Sequence, residues 1–234
     1  MSASATERQE LLALYANLRV TDVRDGMDTL LLHHTGSMGP DIRPLFRTRA
    51  FGIARTCRYL PFDQRIPEMP PEEYLAWCGA YYREVCPYPW EKDIEDGDVV
   101  VIDQSGVCCG LMGSHNSLGC FKAGARGIVT NGGVRDTDEI ILQRIPFWSA
   151  SVAQTMVQGR LRYDTKDVPV SVGGVTVHPG DVIVADGDGV IVVPRAVARD
   201  VARHAHAEHQ RDIQSRRALY SALGMPPDAS VEEY

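Results

Sequence analysis

The segment with the most chemistry per residue is Asn131-Gly-Gly-Val-Arg-Asp136, followed by Thr137 and Asp138. A guanidinium is a rigid fork suited to a carboxylate, and a neighbouring carboxylate offers hard oxygens to a divalent cation. Arg135 and Asp136 are adjacent, so both can serve one ligand only if the backbone turns sharply between a strand and a helix. The double glycine predicts such a turn. A plainer role is equally available to these residues. Asp136 can cap a helix starting at 137, with Arg135 paired to it on the surface.

A second segment, Gly106-Val-Cys-Cys-Gly-Leu-Met-Gly-Ser-His-Asn-Ser117, precedes a predicted helix over 115–125. Free N–H groups at a helix start attract anions, and Gly110 and Gly113 would let an anion approach the backbone. The ordinary alternative is a helix start capped by Ser114 or Asn116. No GxGxxG after a strand, Walker loop, HExxH or GxSxG occurs. Asp186-Gly-Asp-Gly189 lacks calcium-loop spacing and reads as a turn between strands.

The elements that must position these groups follow from periodicity. Leu11, Leu12, Leu14, Tyr15 and Leu18 share a face of a helix over 5–18. Thr21 is placed to cap a second helix running to Leu32, with His33 and His34 at its C-terminal end. Strands are predicted at 51–59, 97–103, 127–130, 147–152, 168–172, 175–178, 181–185 and 189–193, with a helix at 137–143. Segment 61–96, rich in Pro and aromatic residues around a helix at 72–84, reads as an excursion from the core. A last helix runs from about Arg195 to Leu223 and stops at Gly224-Met-Pro-Pro. Val197, Val201, Ala205 and Ile213 form its apolar stripe, and Glu208 falls on or beside it. That carboxylate needs a partner, either from another subunit or from His204 at i,i+4. His204, His206 and His209 lack same-face spacing for a shared metal and read as solvated.

Composition sets outer bounds. The 234 residues, read as one α/β unit over 1–234, are 44% hydrophobic, 24% charged and 7% aromatic. Twenty-one glycines and abundant valine suit an aliphatic sheet with tight turns. A net charge of −7 without a basic run argues against a nucleic-acid surface. The polar start, Met1 to Glu10, has no apolar h-region, and no apolar run approaches the roughly 18 residues needed to cross a bilayer. The six cysteines contain no CxxC pair, as expected of reduced thiols in a cytoplasmic protein.

Taken in order, Thr21-Asp-Val-Arg-Asp25, Asp41-Ile-Arg-Pro44, Gly97-Asp-Val-Val-Val-Ile-Asp103, Gly127-Ile-Val-Thr-Asn-Gly-Gly-Val-Arg-Asp136, Gly173-Gly-Val-Thr-Val-His-Pro-Gly-Asp181 and Ala185-Asp-Gly-Asp-Gly-Val-Ile-Val-Val-Pro194 span residues 20–194. This ordered set resembles the RraA-like proteins, named for a regulator of ribonuclease E activity. They include class II 4-hydroxy-4-methyl-2-oxoglutarate aldolases and oxaloacetate decarboxylases.

The resemblance implies a compact β/β/α fold of the swivelling, phosphohistidine-domain type. It also implies homotrimers or homohexamers with sites between subunits. By resemblance, Arg135 binds the pyruvoyl part of a 2-oxo acid and Asp136 holds Mg²⁺ or Mn²⁺. Gly113, Ser114 and His115 bind the substrate carboxylate through the backbone, and Glu208 reaches a neighbouring subunit's metal. The implied activity is a metal-dependent carbon–carbon lyase releasing pyruvate. The alternative is a non-catalytic regulatory or binding protein of the same fold. The sequence departs from the aldolase pattern in lacking an acidic residue at Ser114 or His115, in carrying Asn131 where many relatives have Asp, and in the length of segment 61–96.

Overall fold

A computed structural model describes residues 5–232; residues 1–4 and 233–234 of the expected 1–234 unit lie outside the described residues. The elements in chain order are α1 (Ala5–Tyr15), α2 (Val20–Thr29), β1 (Arg43–Pro44), β2 (Ala50–Pro61), α3 (Pro71–Glu84), β3 (Asp98–Asp103), β4 (Gly110–Met112), α4 (Ser114–Ala123), β5 (Ala125–Val134), α5 (Thr137–Leu142), β6 (Phe147–Val152), β7 (Leu161–Lys166), β8 (Val170–Val172), β9 (Val175–Val177), β10 (Val182–Asp186), β11 (Gly189–Val193) and α6 (Ala198–Leu223).

The apolar run at 98–103 becomes β3, buried along its whole length between parallel neighbours β2 and β5. The sheet order is β1-β6-β5-β3-β2-β10-β11, with β4 added on β5 and β7 on β2. It curls until residues 36–38, leading toward β1, bond back to β11, which nearly closes it. Period-two alternation sorts the side chains. Val99 and Val101 of β3, Ile183 and Ala185 of β10, and Val190 and Val192 of β11 fill the inside of the curl. Val100 and Ile102 point out beneath α4, while Val182, Val184, Ile191 and Val193 point out beneath α1, α2 and α6. The β8–β9 hairpin plugs the inside with Val170, Val172 and Val177, turning at Gly173 and Gly174, both at positive φ. This mixed α/β architecture agrees with the β/β/α expectation.

Several boundaries moved. The second helix starts after Arg19, not at Thr21, because Asp22 accepts the Arg19 backbone N–H at 2.8 Å and its guanidinium. It ends at Thr29, since Leu30, Leu31 and Leu32 turn their N–H groups back onto Met27 and Asp28, so His33 and His34 lie beyond it. The first helix stops at Tyr15, although Leu18 stays buried. Strands β1, β4 and β7 were not anticipated; β4 has only three residues and β7 is a polar, half-exposed strand without an apolar stripe. Segment 61–96 returns to the core, with Tyr81, Cys86, Trp90 and Ile94 packing on the outer side of β2 and β3.

The histidine expectation also needs correction. His209 is buried, with Nδ1 3.1 Å from Asp22 Oδ2, and His206 Nε2 lies 2.8 Å from the Leu14 carbonyl. The i,i+4 series Val201, Ala205, His209 and Ile213 places His209 on the stripe that faces α2. Glu208 pairs with Arg211, one turn onward, rather than with His204. Among the described residues no helix is long and apolar enough to cross a membrane.

The crossing of α2 over α6 depends on Gly26, where an added Cβ would lie 2.6 Å from the Val201 carbonyl oxygen and 2.9 Å from the Ala205 nitrogen. Neither backbone atom can yield within a packed helix. Gly26→Ala is therefore expected to destabilise the fold by about 1–3 kcal/mol, read as a lower midpoint in urea.

Candidate active site

The site is assembled where β4 and β5 end side by side. Residues 132–133 do not form the anticipated turn. They continue β5 through an irregularity between Thr130 and Gly133, so the strand carries the chain directly to Arg135. Close packing explains these glycines. A Cβ on Gly132 would meet the Gln104 side chain at 2.2 Å, and one on Gly133 would meet Ala153 at 2.7 Å and the Cys109 backbone at 3.0 Å. The Arg135 N–H then donates to the Met112 carbonyl at 3.0 Å, tying the end of β5 to β4.

The sharp turn comes one residue later. Asp136 adopts left-handed geometry, φ 54° and ψ 42°, which costs a non-glycine residue conformational energy, though Asp tolerates it better than most. It occupies the N-cap position of α5, as anticipated, but its side chain makes no cap bond there. Its carboxylate turns instead to the start of α4. Oδ2 accepts the Ser114 N–H at 3.3 Å, and Oδ1 lies 3.2 Å from Arg135 Nε. The cap of α4 is Gly113, so neither Ser114 nor Asn116 caps this helix with its side chain. A carboxylate supplied by another element takes that place and meets the positive end of the helix dipole.

Gly110 and Gly113 are the floor beneath the pair. A Cβ at 110 would lie 2.7 Å from Arg135 Cγ, and one at 113 would lie 2.4 Å from Asp136 Oδ2. Both side chains remain about one-third exposed, 34% and 35%. Among the described residues the terminal nitrogens of Arg135 take no protein partner, leaving its fork open to a ligand. Ser114 and His115 form the first residues of α4, with His115 exposed. Gly113, Ser114, Arg135 and Asp136 thus converge, with His115 beside them. Glu208 does not join them within one chain, because α6 packs on α1 and α2.

Asn131 belongs to the support of the site, which sequence reasoning did not recognise. Its Oδ1 accepts the Gln104 N–H at 2.7 Å, and its Nδ2 donates to Asp103 Oδ1 at 2.7 Å and to the Ser171 carbonyl at 2.9 Å. One amide joins β3, β5 and the β8–β9 hairpin, a task that needs a donor and an acceptor on one short side chain. A cavity of about 700 Å³ lies elsewhere, between α1 and the start of β3. Its arginines are engaged: Arg8 and Arg55 by the buried Asp98, and Arg195 by Glu7. Among the described residues of one chain no group of three His, Cys, Asp or Glu is gathered to hold a metal.

The match to known proteins fits this geometry. Residues 20–192 match the RraA-like family, described as Aldolase/RraA. The chain belongs to the RraA-like family. A Halalkalibacterium halodurans protein, provisionally named a 4-hydroxy-4-methyl-2-oxoglutarate aldolase, is 33% identical over 214 residues, covering 90% of this chain and 89% of that one. The fold is similar to that of Streptomyces coelicolor RraAS2, titled an unusual member of the RNase ES inhibitor RraA protein family. The two share 25% identity and a TM-score of 0.70, over 92% of this chain and 98% of that one. An uncharacterized Pseudomonas syringae protein gives 26% identity and a TM-score of 0.71, over 90% and 92% of the two chains.

Two outcomes follow. Asn131→Asp removes the donor to Asp103 and sets two carboxylates together. It should cost about 1–3 kcal/mol at neutral pH in urea unfolding. The deficit should shrink as pH falls through the carboxylate range, because protonation restores a donor. The thiols should divide sharply. Burial raises the pKa of Cys57, Cys86, Cys109 (to about 11) and Cys120 (to about 12), whereas Cys108 is exposed. With Cys78 also buried, a thiol reagent at mildly alkaline pH should label Cys108 alone in native protein and all six cysteines in denaturant.

Proposed function

We propose that the protein is a divalent-metal-dependent carbon–carbon lyase of 2-oxo acids, releasing pyruvate by retro-aldol cleavage of a 4-hydroxy-2-oxo acid, by decarboxylation of oxaloacetate, or both. The observation that carries this reading is the open fork of Arg135, held beside the Asp136 carboxylate at the start of α4. A 2-oxo acid presents a carboxylate and an adjacent carbonyl oxygen. Arg135 has donors for those oxygens, and the first turn of α4, where the Ser114 N–H already meets the Asp136 carboxylate and the His115 N–H follows it, complements the same anion. The provisional aldolase name of the Halalkalibacterium relative supports the same chemistry.

The donor set fits a small hard cation that keeps most of its waters. Magnesium commonly takes one or two protein carboxylates plus substrate oxygens, and a single chain offers Asp136 at the site. We propose Mg²⁺ or Mn²⁺, held by Asp136 and by the partner subunit's Glu208 in a homotrimer or homohexamer. Such an ion supplies Lewis-acid polarisation of the 2-oxo group. The protein's own residues do the rest. Gly113, Ser114 and His115 orient the carboxylate, and Arg135 neutralises the oxygen charge that grows as the bond beyond C3 breaks. That charge is larger in the transition state than in the substrate, so the contact accelerates the step rather than merely binding the acid.

The purified protein with Mg²⁺ or Mn²⁺ should release pyruvate from oxaloacetate or 4-hydroxy-2-oxo acids, followed by coupling to lactate dehydrogenase, and EDTA should abolish release. Arg135→Ala should lower kcat/KM by about 10²–10³ while the oligomer survives in size-exclusion chromatography. No pyruvate from any of these substrates with either metal would overturn the proposal.

A further inference from the structure

Strand β4 is three residues long and pairs with β5 alone, yet it carries the floor of the Arg135–Asp136 site. Its Met112 carbonyl accepts the Arg135 N–H, and Gly113 and Ser114 follow it directly. Buried carbonyls that β5 does not reach must find donors elsewhere. Two side chains supply them. Gln104 Nε2 donates to the Cys109 carbonyl at 3.1 Å, which also receives the Leu111 N–H, and the Tyr88 hydroxyl donates to the Leu111 carbonyl at 2.8 Å. Cys109 and Leu111 flank Gly110, whose own N–H donates to the Thr155 carbonyl at 3.0 Å. On Gly110 lies the stem of Arg135, since a Cβ there would sit 2.7 Å from Arg135 Cγ and 2.8 Å from its Cβ and Cδ. The peptide groups on both sides of that contact are therefore pinned by side chains.

Each donor is itself held. Gln104 is fully buried just past β3, and its Oε1 accepts the Thr130 hydroxyl at 2.9 Å. Thr130 Oγ in turn accepts the Gly132 N–H at 3.1 Å. The Cys109 carbonyl needs a donor and the Thr130 hydroxyl can give one, so a single orientation of the amide satisfies the whole chain of bonds. Tyr88 lies among the rings of Tyr59, Tyr82 and Trp90, with centroids 6.0–6.4 Å apart. The Tyr59 hydroxyl of β2 donates to the Pro87 carbonyl at 2.8 Å, which fixes the backbone next to Tyr88. Burial raises the Tyr88 pKa well above its ordinary value, so the phenol keeps its hydrogen and remains a donor.

We propose that Gln104 and Tyr88 are positioning residues for the Arg135 guanidinium. Neither touches the substrate; both act by holding the peptide groups around Gly110, and so the height of β4 beneath Arg135 and the start of α4. The inference rests on the lyase reading. It also gives segment 61–96 a part in the site, because Tyr88 belongs to it. Without its donor, a buried carbonyl turns toward water or another partner, and a short strand with one neighbour moves with it. Displacements well under 1 Å are enough to slow a step that depends on aligned groups.

Two measurements on the whole chain in its native assembly decide it. The variants are Tyr88→Phe and Gln104→Met, each close in shape and lacking the donor. Gly26→Ala, which disturbs the α2–α6 crossing far from β4, is the control for lost stability. In ¹H–¹⁵N NMR, the Arg135 Nε–H resonance, assigned with Arg135→Lys, should move in both variants and stay in place in Gly26→Ala. With oxaloacetate or a 4-hydroxy-2-oxo acid, each variant should lower kcat/KM about tenfold, and Gly26→Ala should leave it within about twofold. On an Arg135→Ala background, neither substitution should cost more than about a further twofold, because the group they position is gone. An unmoved Arg135 resonance would overturn the positioning role whatever the activity. A moved resonance with unchanged kcat/KM, or with the full loss repeated on the Arg135→Ala background, would overturn its part in turnover. Absence of turnover in the unmodified protein would instead sink the lyase reading, while the resonance still reported whether these two side chains place Arg135.

Discussion

The candidate site depends on how closely β4 can lie against the end of β5. Gly110 pairs with Gly133, and the Arg135 N–H reaches the Met112 carbonyl. Side chains at 110, 113, 132 or 133 would intrude on Arg135, Asp136, Gln104 or Cys109. Because these four positions lack a Cβ, two strand ends and the first turn of α4 meet at one point. A guanidinium, a carboxylate and the N-terminal turn of α4 are thereby gathered at one place.

Electrostatics and strain are balanced at that point. Left-handed geometry at Asp136 is unfavourable for a residue with a Cβ. The contact with the Ser114 N–H and the adjacent Arg135 offsets part of that cost, since a negative charge is stabilised at a helix start. The two side chains are about one-third exposed, so solvent weakens their mutual attraction and leaves each able to exchange its partner for a ligand. A fully buried pair would be harder to reopen.

The supporting layers show the same economy of polar groups. Asn131 ties together β3, β5 and the β8–β9 hairpin below the site. On the opposite flank, buried Asp22 gathers the Arg19 guanidinium and His209, fixing α2 against α6. These groups hold the curled sheet between two helical layers and leave the strand ends and helix starts at its edge free of that task.

Local patterning in the sequence was enough to determine the central strands, the long final helix, the DGDG hairpin turn and the placing of Arg135 and Asp136 between a strand and a helix. Continuous valine runs, period-two alternation, Gly-Pro stops and an Arg-Asp pair are short-range signals, legible without knowing what packs where. Tertiary structure decided the rest. Residues 132–133 look like a turn locally but run as strand because Gln104 and Cys109 crowd them. His209 looked solvated until the i,i+4 stripe met α2, and the helix start at 114 found its carboxylate 22 residues away rather than in its own side chains. Each depends on contacts between residues distant in the chain, where packing and desolvation outweigh local propensity.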